Sequence, residues 1–283
     1  MSVKHKIQKV LYHLFVILFG IIMIYPVLWM ISGSFKDNAE ILRGTLHLIP
    51  ENLKTSNYST GWRGFSGITF GTFFKNSLVI TAVATFGTVL SSSLVAYALS
   101  RLRFRGRKFW FTCMLATMML PGQVIMIPTF LIWYNLGLNN TFAPLILPYF
   151  CGQAFFIYQM MQFMAGIPRE LDEAATIDGA TKPAQFRYMT LPLLKGVFKT
   201  NITMWSVSSV GFFVWSQLFS TVTADTQTIT PYVYMYMQIF GGGNTVTERN
   251  AGLGAAIGVL LSVCVVIVFT ICNRVIKDDD LEF

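Results

Sequence analysis

Four of the chain's thirteen acidic residues, Glu170, Asp172, Glu173 and Asp178, crowd into the stretch from Ile167 to Pro192, between two long apolar runs. Such a concentration of charge cannot lie inside a bilayer. Pro168 suits a first helical position, Glu170, Asp172 and Glu173 complement the positive end of a helix dipole, and Gly179 supplies a left-handed stop. Thr181 is placed to cap a second helix with Pro183 in its first turn, and Leu191-Pro192 interrupts again. Leu171, Ala174, Ala175 and Asp178 recur at spacings of three and four and share one helical face. That face is small and nearly flat, so a partner's backbone or side chains can approach it closely. The chemistry on offer is docking, and the plainer alternative is a solvated loop between helices.

Nothing else in the chain is spaced for catalysis or metal binding. Cys113, Cys151, Cys264 and Cys272 sit in apolar segments without a CxxC pair and read as small buried hydrophobes. His5, His13 and His47 are scattered, so no metal site is visible. A membrane-embedded enzyme would need an acid-base or nucleophile constellation, which is missing. There is no GxxxxGK[ST] phosphate loop.

The elements that must position the docking stretch are apolar. The chain is 54% hydrophobic and 12% charged, against a usual charged share of about 25%, and its mean hydropathy is +0.56. This is the composition of an all-α, polytopic integral membrane protein. Runs at 10–31, 76–100, 109–133, 142–166, 197–220 and 251–272 predict six spans in a single transmembrane domain over 1–283, with the docking loop at 167–196. The first run is too long for a signal peptide's apolar core. Pro121 and Pro128 are expected to kink the third span. Residues 32–71 and 221–250 read as outer loops.

Six spans put both termini on one side. Fifteen Lys and Arg residues fall on that side, including the turn Arg101 to Lys108, and six fall on the other. The richer side is predicted to be cytoplasmic. Topology thus accounts for the net charge of +8 without nucleic acid. Of the Asp, Glu, Lys, Arg and His set, the six runs hold only His13 in the first and Lys199 at the start of the fifth, each near the end that the charge count makes cytoplasmic. An ion-coupled carrier would place such groups at membrane depth, and the lack of buried charge together with the presence of the docking loop also counts against a channel.

The segment Glu173-Ala174-Ala175, Gly179, Met189-Thr190-Leu191-Pro192 resembles the EAA loop of binding-protein-dependent ABC importers, with Met189 in place of the usual Ile. Ile167-Pro168, Leu171 and Ile177-Asp178-Gly179-Ala180 are similar to the carbohydrate branch. Further similarities to its smaller permease subunit run from Phe74-Lys75-Asn76-Ser77 through Ala96-Tyr97-Ala98-Leu99-Ser100-Arg101 and Phe104-Arg105-Gly106 to Leu136-Gly137-Leu138-Asn139-Asn140-Thr141. The tail departs from the family, ending in Lys277-Asp278-Asp279-Asp280.

The resemblance implies a permease subunit of the bacterial cytoplasmic membrane, working by alternating access with a second homologous permease, two ATPase subunits and an external or periplasmic solute-binding protein. ATP and Mg would belong to the ATPase subunits, and this chain would hold no cofactor. Leu171, Asp172, Glu173, Ala174, Ala175, Asp178, Gly179, Ala180, Leu191 and Pro192 would then form the coupling element. An importer permease for another solute, such as a polyamine or glycerol phosphate, is the nearest alternative. Uncharged polar and aromatic residues suited to a neutral sugar are Gln153, Tyr158 and Gln159 in the fourth run and Trp205, Trp215 and Gln217 in the fifth. Interhelical hydrogen bonding or interfacial placement is the competing reading of each. Gly252, Gly254, Ala255, Ala256 and Gly258 offer a small-residue face for close helix contact, as a permease dimer would use.

Overall fold

The computed structural model describes residues 3–44, 47–65, 67–210, 214–219, 228–241 and 249–275. The Asp278 to Asp280 tail and Gly242-Gly243-Asn244 lie outside the described residues. The order is α1 (Val3–Gly33), α2 (Asn38–Leu42), α3 (Ser56–Arg63), α4 (Phe70–Arg101), α5 (Arg107–Met119), α6 (Gly122–Asn135) and α7 (Ala143–Ile146). A 3-10 turn over Leu147–Cys151 leads to α8 (Ala154–Gly166), α9 (Arg169–Ile177) and α10 (Lys182–Gln185). A π-helical turn at Phe186–Thr190 precedes α11 (Leu191–Leu193), α12 (Lys195–Val210), α13 (Val214–Phe219), α14 (Pro231–Phe240) and α15 (Ala251–Val275). No β-strand is present among the described residues; one isolated bridge joins Phe65 and Ile68.

Three helices are long and apolar enough to cross a membrane, Ile7–Gly33, Phe70–Arg101 and Ala251–Val275. α5 and α6 make a fourth if taken together, but they meet at 101°. The third run is therefore broken rather than kinked. Pro121 is the cause, because it pushes the preceding Leu120 to an extended ψ of 121° and then stands at the cap of α6. Pro128, by contrast, lies inside α6. The fourth run is also not one helix: α7 and the 3-10 turn end at Gly152, with φ of +83°, and α8 starts after an extended Gln153. Among the described residues, the six expected runs thus yield three unbroken spanning helices.

The chain forms two compact units, Met1–Gly71 with Pro231–Ser262, and Thr72–Thr230 with Val263–Phe283. In the first, Lys36 and Glu40 form a buried ion pair at 3.4 Å with side-chain exposures of 1% and 5%, so neither charge is left uncompensated. The Lys36 ammonium also donates to the His47 carbonyl. A Cβ at Gly252 would lie 2.5 Å from the Lys36 carbonyl oxygen, and one at Gly254 would lie 2.4 Å from the Ile239 side chain. At Gly252 and Gly254 the small-residue face is filled from within this unit, while Ala255 and Gly258 stay half-buried. α14 itself falls in a stretch read from sequence as loop, since ten residues are too few to register as a span.

In the second unit, Ala96, Tyr97 and Leu99 of α4 pack with Ile157, Met160 and Met164 of α8 and with Leu194 and Val197 near the start of α12. A smaller cluster joins Ile80, Leu145 and Phe219. The first cluster is the floor on which the acidic stretch rests.

Candidate functional site: a clamped hairpin at the end of α4

α9 ends in a Schellman closure. Gly179 N–H donates to the Thr176 carbonyl at 3.1 Å and Ala180 N–H to the Ala175 carbonyl at 2.9 Å, with Gly179 at φ +81°. The predicted left-handed stop is at Gly179, while Pro168 caps α9 from just outside rather than filling its first turn. Thr181 has the extended backbone of a cap, but its side chain makes no capping bond. Its carbonyl accepts the Gln185 N–H at 2.9 Å. Leu191-Pro192 does not break the chain's helical course: Leu191 N–H reaches the Phe186 carbonyl in the π register, and α11 carries on to α12.

Three residues absent from the predicted set lock this hairpin. Gln185, 1% exposed, donates from Nε2 to Thr176 Oγ1 at 2.8 Å and to the Ala180 carbonyl at 3.1 Å. Its Oε1 accepts from Lys182 Nζ at 2.8 Å. All its polar atoms are used, so it staples α10 across the turn to α9. Tyr97 Oη donates to the Lys182 carbonyl at 3.2 Å, and its ring lies 5.0 Å from that of Phe186.

Arg101 is the third. Its Nη1 lies 3.0 Å from Asp172 Oδ2, and its Nη2 donates to the carbonyls of Met164 and Ile167 at 2.7 and 2.8 Å. Those carbonyls belong to the last turn of α8 and the residue after it, where helical partners run out. One guanidinium therefore caps α8 and grips α9. Tyr97 and Arg101 are four residues apart on α4 and so occupy one face.

The clamp divides the predicted coupling residues into two groups. Leu171, Glu173, Ala174, Asp178 and Gly179 are exposed. Asp172, Ala175 and Ala180 are half-buried, the first in the ion pair and the other two at the closure. Leu191 is half-buried and Pro192 exposed at the second helix. Ile177, 86% exposed, adds an apolar side chain beside the small face. Leu171, Ala174 and Ile177 thus put small and apolar surface outward, beside the exposed Glu170, Glu173 and Asp178.

The neutral pathway residues are not gathered in one place. Trp205 lies 4.4 Å from the Tyr149 ring and 6.2 Å from that of Phe156. Trp215 stacks on Phe219 at 6.1 Å in the other cluster. Gln153 caps α8 and its N–H donates to Ser92 Oγ at 3.1 Å, while Tyr158 is 38% exposed. Gln159 Oε1, Trp205 Nε1 and Gln217 Oε1 are buried without a hydrogen-bond partner among the described residues. So are the side-chain oxygens of Thr85, Thr88 and Thr203 and both amide atoms of Asn201, which sequence reasoning did not select. Buried polar atoms are normally paired, so α4, α8 and α12 carry unspent, uncharged hydrogen-bonding capacity.

Residues 89–278 match the family described as binding-protein-dependent transport system inner membrane component. The chain is 30% identical over 250 residues to the arabinooligosaccharides transport system permease protein AraQ of Bacillus subtilis, covering 85% of this chain and 88% of that one. It is 33% identical over 204 residues to the sn-glycerol-3-phosphate transport system permease protein UgpE of Rhizobium meliloti, covering 70% of each. Its fold is similar to a chain in the crystal structure of a bacterial ABC transporter involved in the import of the acidic polysaccharide alginate, with a TM-score of 0.80, 23% identity, and coverage of 98% and 99%. The protein belongs to the inner-membrane permease components of binding-protein-dependent transport systems.

Proposed function

We propose that this chain is one permease half of an ATP-driven carbohydrate importer, and that the outward face of α9 is where an ATPase subunit docks. The observation carrying the proposal is the combination at the α9 hairpin: a small, apolar, exposed face on a body clamped to α4 by Arg101, Tyr97 and Gln185. A solvated loop needs neither feature. A coupling element needs both, since the face must be approachable and the body must not yield when pushed.

Six spans with both termini and the hairpin on the cytoplasmic side, as the basic residues indicate, would bring α9 to the ATPase. The second permease, two ATPase subunits holding ATP and Mg, and an external solute-binding protein complete this reading, and the family description itself names dependence on a binding protein. A carbohydrate is favoured by AraQ and by the neutral donors and acceptors on α4, α8 and α12. The resemblance to UgpE supports a second reading, a glycerol-phosphate permease. That anion would call for basic side chains along the path, and none of Gln153, Tyr158, Gln159, Trp205, Trp215 and Gln217 is charged.

The test is the reconstituted complex with Gly179→Val or Ala174→Trp. At Gly179 a Cβ would meet nothing within 4 Å, so the cost of valine is its positive φ alone, about 1 to 3 kcal/mol. Binding-protein-stimulated ATP hydrolysis and uptake of an oligosaccharide should both fall, while membrane insertion and binding-protein affinity for the sugar stay unchanged. Normal stimulation in both variants would remove α9 as the transmission element. Stimulation by glycerol phosphate-loaded but not oligosaccharide-loaded binding protein would establish the second reading.

A further inference from the structure

The connection from α4 to α5 carries more charge than topology requires, and it carries it around cavities. One, of about 410 Å³, is lined by Arg103, Phe104, Gly106, Arg107 and Lys108. A second, of about 260 Å³, shares Arg107 and adds Arg101 and Arg169. A third, of about 510 Å³, shares Phe104 with the first and runs along Val95, Leu99, Trp110, Met114 and Ile157. Basic mouths therefore adjoin an apolar groove between α4, α5 and α8.

Arg103, Arg107, Lys108 and Arg169 make no ion pair among the described residues, whereas Arg101 is spent on Asp172 and two carbonyls. Arg107 and Arg169 also stand in the first turns of α5 and α9, whose amide groups point the same way as an added positive charge. The site thus offers an anion receptor on one side of Phe104 and acyl-chain solvation on the other.

We infer that this composite site binds an anionic phospholipid, its phosphate among Arg103, Arg107 and Lys108 and one acyl chain along Trp110 and Met114. Charge complementarity selects this occupant: a zwitterionic lipid would fill the groove but leave the basic mouths uncompensated, and a free anion would leave the groove empty. Basic pockets between membrane helices are recognised lipid headgroup sites in general. The inference depends on the chain spanning a membrane and not on which solute it carries or on α9 docking an ATPase. A lipid held there would sit against Arg101's helix and against the start of α9, beside the clamp.

The experiment reads Trp110, which is 60% exposed. The purified complex is placed in phosphatidylcholine nanodiscs containing a small, equal fraction of either phosphatidylglycerol or phosphatidylcholine with brominated acyl chains. Quenching lost in Trp110→Phe isolates the Trp110 signal. Brominated phosphatidylglycerol should quench that signal at severalfold lower mole fraction than brominated phosphatidylcholine. Arg103→Gln with Lys108→Gln should reduce the preference by roughly fivefold per side chain, the factor corresponding to about 1 kcal/mol for each basic residue at an anionic leaflet. Arg103→Lys with Lys108→Arg should retain it, which separates charge from misfolding. Equal quenching by the two lipids would overturn the inference, as would a preference that survives the Gln variants. A preference present only when the ATPase subunits are removed would reassign the patch to a protein contact and overturn it too. So would protection of the site by inorganic phosphate, at matched ionic strength, without any phosphatidylglycerol-specific quenching.

Discussion

Arg101→Met should loosen the α9 hairpin far more than its single residue's area suggests. The Arg101 side chain is 6% exposed, and its guanidinium makes three contacts, at 3.0, 2.7 and 2.8 Å. A hydrogen bond to a charged group contributes about 1.5 to 3 kcal/mol net. The two carbonyl bonds alone would amount to about 3 to 6 kcal/mol at full value. Partial solvent access at α8's end and at Asp172, 20% exposed, lowers what is lost, because water takes over part of each contact. About 3 kcal/mol is a reasonable expectation, within the range for breaking a buried pair from one side. Asp172→Asn leaves Arg101 its two carbonyls and should cost about half as much, and the double variant should cost less than the sum because the sites share a contact.

Hydrogen exchange of the intact complex reads this locally. The amides of Asp178, Gly179 and Ala180, bonded to Ala174, Thr176 and Ala175, report opening of the hairpin. A loss of about 3 kcal/mol accelerates their exchange by roughly 100-fold or more if they open through release of the clamp. Amides in the first half of α4 should not change. Unaltered exchange at Asp178 to Ala180 in Arg101→Met would refute the clamp, whatever happened to transport.

Two further outcomes are expected. Gln185→Leu leaves Thr176 and Lys182 without their buried partner and should cost about 1 to 3 kcal/mol of local stability, seen as faster exchange over α9 and α10 with Tyr97's contact to Phe186 retained. Gly252→Ala drives a methyl to 2.5 Å from the Lys36 carbonyl and 2.8 Å from Asn57 Nδ2, so expression and thermal stability of the complex should fall by the ~1 to 3 kcal/mol of an overpacked site, whereas Gly20→Ala, with nothing within 4 Å, should be neutral.

The helix α9 was readable because its signals are local. A proline, three acids and a glycine within a dozen residues specify start, polarity and stop of one helix, and Gly179 adopts the predicted positive φ. The clamp was not readable for the opposite reason. Arg101 and Asp172 are remote in sequence, and Arg101 looked like one more member of a basic turn whose sign topology already explained. The spacing of Tyr97 and Arg101 on one face was the available hint, inside a stretch noted only for its resemblance. Hydropathy located apolar runs but could not see that Pro121 and Gly152 break two of them, since composition does not change across either break. The glycines of α15 marked close approach, and at Gly252 and Gly254 the neighbour is this chain itself: small residues announce that something is near, never what.

These two kinds of feature meet in how a push on α9 would travel. In the proposed coupling, the exposed face takes the load and Asp172, on the inner side of the same helix, passes it to Arg101. Tyr97, one turn earlier, takes the share arriving through Lys182. Both anchors belong to the last turns of α4, and Tyr97 is itself part of the cluster with Met160, Met164 and Leu194. The hairpin therefore cannot rotate against α4 without opening an ion pair or a buried contact, so the least costly response is motion of α4 and α8 together. The other exit from the hairpin is built differently. There the π turn at Phe186–Thr190 and Pro192 interrupt the regular bond ladder before α12 begins, and a helix can bend at such a place at low cost. Stiffness toward α4 and compliance toward α12 would convert one docking motion into a change of angle between the helices that carry the unpaired polar groups.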